Sequence, residues 1–168
     1  QTFNPAYCRT EKTVAQQLEE GKQFFARKYP EMKYLAYFQA YTNTYGPVEY
    51  LQSIYREALS HEDVCGISIA TRPDCLGEEV LNLLQELQAQ FPQKFIWLEL
   101  GLQTIHAQTA DYIRRGYSLS CFEKAVKGLT ARNIPIIVHV ILGLPGETPE
   151  MIYETIRYLN TSKPFGIK

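Results

Sequence analysis

The sequence predicts an α/β protein built on a parallel β-sheet. Two observations carry that reading. Short, nearly continuous apolar runs alternate with longer stretches whose apolar residues recur every three to four positions. That is the pattern of strands buried on both faces and joined by amphipathic helices. The chain is also large and apolar enough to bury such a sheet. It has 168 residues, 45% of them hydrophobic, which suits one domain or a large piece of one and excludes wholesale disorder.

The elements follow in order. Val14, Leu18, Phe24, Phe25 and Tyr29 share a helical face and predict a helix over 13–28, ended by Pro30. Gly21 inside it costs about 1 kcal/mol against Ala. The aromatic run 34–38 suits a buried strand. A polar loop over 39–46 leads to Pro47, placed at a first helical position. Val48, Leu51, Ile54, Tyr55, Ala58 and Leu59 then form the next helical stripe. The cycle repeats with a strand at 64–70, an exit loop at 71–74, a helix at 78–91 and a strand at 95–100. A short helix at 107–115 precedes another at 120–130, which Ser120 and Glu123 would open as a capping box. The run 134–142 is the fourth strand, nearly all branched aliphatic, and Thr148-Pro149 starts a last helix to about 160. The tail from Phe165 to Lys168 begins a fifth strand.

Several classes are excluded or unsupported. Seventeen basic residues face 18 acidic ones, for a net charge of −1, so there is no overall basic excess of the kind that marks many nucleic-acid binders. No stretch approaches the length of a membrane-spanning helix, and no membrane partner is expected. The segment 1–5 shows neither an initiating Met nor a signal-peptide pattern, and we expect the chain to be part of a longer protein. Cys8, Cys65, Cys75 and Cys121 have no C-x-x-C spacing. They read as reduced thiols of a cytoplasmic protein. Phosphate-loop, G-x-G-x-x-G, H-E-x-x-H and G-x-S-x-G motifs are missing from the sequence.

In parallel α/β proteins ligands bind at the carboxyl ends of the strands. The loops to examine are therefore 39–46, 71–74, 101–106 and 143–148, all rich in Gly, Thr, Asn or Gln. Two polar residues interrupt apolar strands nearby. Glu99 sits within FIWLELGLQ, where a carboxylate is costly to bury unpaired. It reads either as half of a buried ion pair with a loop arginine, expected to be Arg115 in the empty protein, or as a ligand contact. His139 interrupts IIVHVIL and reads either as a satisfied core residue or as a ligand. Arg114-Arg115 complements a helix C-terminus or grips an anion. Gly143 to Thr148 is a turn into a capped helix, or a place where glycine lets a flat ligand approach the backbone.

Four stretches together are similar to the S-adenosylmethionine-binding core of radical SAM enzymes: GISIATRPD at 66–74, ELGLQT at 99–104, IRRG at 113–116 and ILGLPGET at 141–148. Each is weak alone, but four in order at strand ends are a strong set. With the stretch 38–45 and the context of Cys75, they resemble most the bacterial proteins related to the catalytic subunit of Elongator. Oxygen-independent coproporphyrinogen oxidase is a more distant likeness. The resemblance implies a TIM-like (β/α)6 partial barrel, truncated at both ends, with residues 1–168 as its central portion. It also implies an enzyme that reductively cleaves S-adenosylmethionine at a four-iron four-sulfur cluster and abstracts hydrogen from a substrate.

What the resemblance implies for residues is specific. Thr42 and Asn43 lie where the family meets the methionine amino group. Thr71, with Arg72, lies near the ribose, although Ala70 replaces the acid common there. Glu99 and Gln103 fall at fourth-strand ligand positions, and Arg115 matches the arginine that pairs with the methionine carboxylate. His139 stands at a fifth-strand position that is acidic in some relatives, and Gly143 would give the adenine room. The family's three-cysteine loop is not in this sequence. No metal ligand is therefore assigned, and the chain alone is expected to be inactive. Partners implied are a substrate (small molecule, protein or tRNA) and a reductant for the cluster. Self-association is expected through the apolar edge strand at 34–38 and an uncovered barrel interior. Two alternatives stay open: a phosphate-binding (β/α) barrel piece and a non-enzymatic flavodoxin-like module. The latter would carry helices on both faces of its sheet.

Overall fold

Five strands form and pair in chain order, all parallel: β1 Tyr34–Phe38, β2 Val64–Thr71, β3 Phe95–Gln103, β4 Ile136–Val140 and β5 Gly166–Ile167. The structure is a computed structural model and describes residues 12–26, 28 and 31–168. The connecting helices are α1 Val14–Ala26, α2 Val48–Ser60, α3 Glu78–Gln90, α4 Ala107–Tyr112, α5 Leu119–Thr130 and α6 Pro149–Ser162, with a short 3₁₀ turn at Pro73–Cys75. The expected contributions of Tyr29 and Pro30 to the end of α1, and Cys8, lie outside the described residues.

The order of elements matches the reading of the sequence, and the differences are at the ends. β3 runs three residues further than expected because a bulge between Gly101 and Gln103 keeps it paired to β4. β4 is shorter at both ends, and beyond it the Ile141 N–H turns back to the Gln103 carbonyl. α4 stops at Tyr112 instead of 115. Arg114 takes a left-handed conformation, φ 53°, and the Arg115 N–H closes onto the Ala110 carbonyl at 2.9 Å, a C-terminal closure of the Schellman type. The expected capping box of α5 does not form. Ser118 is the cap and accepts from the Cys121 N–H at 3.2 Å, while Glu123 accepts from the Tyr158 hydroxyl. Pro47 is the N-cap of α2 and not its first residue. Thr148 and Pro149 open α6 as expected.

The register sorts the side chains onto two faces. Ala36, Ile67 and Ile96 align, as do Phe38, Ile69, Leu98 and Ile136, and as do Thr71, Leu100 and Val138. This face packs against α2, α3 and α5, and Ile67, Ile69, Leu98 and Leu100 are fully buried. The opposite face carries Leu35, Tyr37, Ser68, Phe95, Trp97, Glu99, Ile137 and His139. Leu35, Tyr37 and Phe95 there are 36%, 37% and 44% exposed. Helices therefore cover one face only, which removes the flavodoxin-like arrangement.

Candidate functional site

The open face holds one polar layer, and Glu99 is its centre. The β3 register points this carboxylate away from the helices, to a position 6% exposed. Each strand supplies it with one partner. The Tyr37 hydroxyl of β1 donates to Oε2 at 2.8 Å, and the Ser68 hydroxyl of β2 donates to Oε1 at 2.7 Å. His139 Nε2 of β4 lies 2.6 Å from Oε2, and Lys168 Nζ, directly after β5, lies 3.2 Å from it. Lys168 also donates to the Tyr37 hydroxyl at 2.9 Å and sits over its ring. Burial pushes the Glu99 carboxyl up, but the bonds from Ser68, Tyr37, His139 and Lys168 outweigh it and hold the group below its ordinary range. Burial raises the Tyr37 phenol, so this group donates as a neutral hydroxyl.

Beyond this layer, at the carboxyl ends, Gly101 makes room for close packing. A Cβ there would come within 2.6 Å of the Gln103 amide nitrogen and 2.8 Å of the Tyr117 hydroxyl. Tyr117 donates to the Gly101 carbonyl at 2.9 Å. Gln103 is left-handed at φ 65°, and its side-chain amide lies against Gly101 and bonds Tyr117. Gly143 is also left-handed, φ 77°, with no atom within 4 Å of where a side chain would begin. The loop around it exposes Ile141 and Leu142. Thr104 donates to Glu147 across this end, tying the β3 and β4 exit loops together.

Other residues singled out from the sequence are held by the scaffold. Arg115 does not pair with Glu99, as the sequence had led us to expect. Its guanidinium is nearly buried and donates to the carbonyls of Leu102 at 2.9 Å, Thr104 at 2.7 Å and Tyr117 at 3.0 Å. The reason is positional: the left-handed turn at Arg114 swings the side chain behind the β3 exit. Asn43 donates to the carbonyls of Phe38 at 2.9 Å and Ala70 at 2.8 Å, clipping the first two strand exits together. Its own carbonyl accepts from the buried Tyr55 hydroxyl. Thr71 lies on the helix-covered face and bonds the Thr44 hydroxyl at 2.6 Å. Arg72 pairs with Asp74 at 2.7 Å and stacks on Tyr117. Thr42 is half-buried beside Asn43.

Sequence reasoning found Glu99 and His139 but missed Tyr37, Ser68 and Lys168. The available signal was the period of two: Ser68 is a lone hydroxyl in an apolar strand, and Lys168 ends the incipient one. Among the described residues no set of three His, Cys, Asp or Glu side chains is placed to hold a metal. Cys65, Cys75 and Cys121 are free and sit on β2, the 3₁₀ turn and α5. The described residues therefore do not fit an iron–sulfur cluster. At the carboxyl ends Gly143 has open space beside it, and Thr42 and Gln103 are half-buried. No helix of the described residues is long and apolar enough to cross a membrane.

Comparison with known proteins agrees with this fold. The family model described as the radical SAM superfamily matches residues 5–159. Protein YtqA of Bacillus subtilis (strain 168) is 41% identical over 152 residues, 90% of this chain and 46% of its own length. The chain thus spans about half the length of this curated relative. The tRNA uridine(34) acetyltransferase of Methanocaldococcus jannaschii is 32% identical over 95 residues, 56% of this chain and 16% of its own. Among solved structures, the archaeal Methanocaldococcus infernus Elp3 with an N-terminal deletion superimposes with a TM-score of 0.66 at 19% identity, over 87% of this chain and 37% of its own.

Proposed function

The chain belongs to the radical SAM superfamily, and on that premise we propose that it is the central part of an enzyme that binds S-adenosylmethionine at the carboxyl end of the sheet. The family match over 5–159 is the observation that carries the proposal. When bound, the cofactors of such an enzyme supply reductive cleavage of S-adenosylmethionine at a four-iron four-sulfur cluster and abstraction of hydrogen from a substrate. The cluster ligands belong to a three-cysteine loop outside this sequence.

The chain's own residues divide the work. Thr42 and Gly143 are the groups left to touch the cofactor, and Gln103 lines that end with its amide bonded to Tyr117. Asn43, Thr71 and Arg115 hold the strand exits that form its wall, because their polar atoms already serve the backbone or Thr44. Of the three substrate classes, a nucleoside in tRNA is favoured by the likeness to a tRNA uridine(34) acetyltransferase. Direct binding of unpaired bases needs no overall basic charge on this segment.

The test is anaerobic reconstitution. The longer protein that carries this chain together with a three-cysteine loop is expected to bind iron and sulfide and to cleave S-adenosylmethionine once reduced. The 168-residue chain alone is expected to do neither. Stoichiometric iron and sulfide on the chain alone, or no cleavage by the reconstituted longer protein, would count against the proposal.

A further inference from the structure

We propose that His139 is a proton-transfer residue facing the open side of the sheet, and that Glu99 is its positioning residue. The inference rests on the reading that ligands enter this face from the carboxyl ends.

The geometry sets the tautomer. An ionised carboxylate only accepts hydrogen bonds, and Glu99 is held ionised by its four donors. His139 Nε2, at 2.6 Å from Oε2, must therefore carry the proton. In the neutral ring that leaves Nδ1 with a free lone pair, and Nδ1 has no partner among the described residues. The pair is asymmetric in a useful way: the Glu99 side chain is 6% exposed and that of His139 is 29% exposed. The buried end is fixed, and the imidazole is the end a ligand can reach.

A structural role alone explains this poorly. An apolar residue at position 99 would pack as well as its neighbours Leu98 and Leu100 without the cost of burying a charge. Four strands would not each need a polar residue aimed at one point. The arrangement makes sense if the imidazole has to take a proton and give it back. In the forward step a ligand O–H or N–H bond breaks, its electron pair stays on the ligand atom, and the proton forms a new bond to Nδ1. The resulting imidazolium lies against the Glu99 carboxylate, which stabilises it. The reverse step returns the proton, and no electron is exchanged. The other groups gathered on the Glu99 carboxylate are the Tyr37 hydroxyl from β1, the neutral Ser68 hydroxyl from β2 and the Lys168 ammonium beside β5. Lys168 opposes a second positive charge and so favours prompt return of the proton. The ligand group suited to this site is a weakly acidic hydroxyl or ring N–H on the substrate, such as the imide of a uracil ring.

Nuclear magnetic resonance of the chain labelled with ¹⁵N in its histidine rings tests this directly. In the wild type at mildly alkaline pH, His139 is expected as one tautomer, with the proton on Nε2 and Nδ1 bare. In Glu99→Gln the amide can donate or accept, so a mixture is expected. Added to the longer protein that carries this chain, uridine is expected to move the Nδ1 resonance, with at least tenfold lower apparent affinity in E99Q. A proton on Nδ1 in the wild type overturns the proposal, whether or not E99Q folds. A tautomer indifferent to E99Q, or an Nδ1 signal indifferent to uridine, overturns it as well. Cleavage of S-adenosylmethionine is read separately. Cleavage with the wrong tautomer sinks only the dyad, and the right tautomer without cleavage sinks only the family reaction.

Discussion

The two faces of the sheet are made of alternate residues of the same strands, yet they are held together by different physics. On the helix-covered face Ile67, Ile69, Ile96, Leu98 and Leu100 are buried to within about a per cent of completely, and their contribution scales with the area removed from water. On the open face Tyr37, Ser68, Glu99, His139 and Lys168 meet at one carboxylate. Their contribution depends on every donor finding its acceptor. The first face tolerates any side chain of the right volume. The second tolerates almost no change of chemistry, which is why function is expected to sit on it.

The largest expected effect breaks the covered face. Leu98→Ala empties a site with no exposure and is expected to cost roughly 3 kcal/mol, read as a lower midpoint in denaturant unfolding. Ile137→Ala, beside Glu99 on the open face, should cost less than half as much. Equal losses would mean that the open face is packed like a core.

The next effect belongs to the polar layer. Glu99→Ala strands the fully buried Ser68 hydroxyl and the Tyr37 hydroxyl, and is expected to cost about 2 kcal/mol. Its pH dependence has a definite sign. The folded Glu99 carboxyl sits below its ordinary value, so its stabilisation is present above the unfolded value, about 4.3, and fades as pH falls through the folded value. The stability gap between wild type and E99Q should therefore be widest near neutral pH and close on acidification. A gap that widens on acidification would contradict the ionised state of Glu99.

A smaller effect separates the wall from the layer. Arg115→Lys replaces a planar fork that reaches three carbonyls by a single ammonium. It should cost about 1 kcal/mol and leave the His139 tautomer unchanged. A changed tautomer would show that Arg115 and Glu99 are coupled after all.

These contrasts also explain what the sequence revealed. Period and punctuation expose the covered face, because Ile, Leu and Val at alternate positions have few other uses. β2, β3 and β4 were legible for that reason, β1 as an aromatic run and β5 only as the beginning of a strand in the tail. Glu99 and His139 stood out as polar residues in apolar runs. Their partners did not, because Tyr37 belongs to a run of aromatics and its register against Ser68 is set by pairing with a strand that lies beyond the whole of α2 in the chain. The expected Glu99–Arg115 pair fails to form for a local reason. A left-handed Arg114 cannot be read from a residue type that seldom adopts that conformation, and it redirects the guanidinium to backbone carbonyls. The bulge that lengthens β3 was hidden in the same way, since nothing in Gly-Leu-Gln marks Gln103 as its left-handed residue.

The smallest effect on folding is expected at the amino-end half of the open face. Phe95 stacks on Trp97 at 5.1 Å, and Trp97 meets Phe165 at 5.8 Å. Phe95 and Phe165 are nonetheless 44% and 68% exposed. Apolar side chains left in water this way stabilise the fold little but favour any surface that covers them. We propose that in solutions of this chain the cover is a second copy, since two such faces bury one another by a two-fold contact without further components. Phe95→Ser removes one ring that is already partly wet, so it should cost about 1 kcal/mol or less in unfolding at low concentration. The same change should weaken association at least tenfold in sedimentation equilibrium, because a ring lost from a contact counts in both copies. Leu98→Ala, on the covered face, should do the reverse, lowering stability strongly and leaving the association constant of the folded chain unchanged. A wild-type chain that stays monomeric at high concentration would remove the proposed contact. An association insensitive to Phe95→Ser would move it to the β1 edge, whose Tyr34–Phe38 strand pairs on one side only among the described residues.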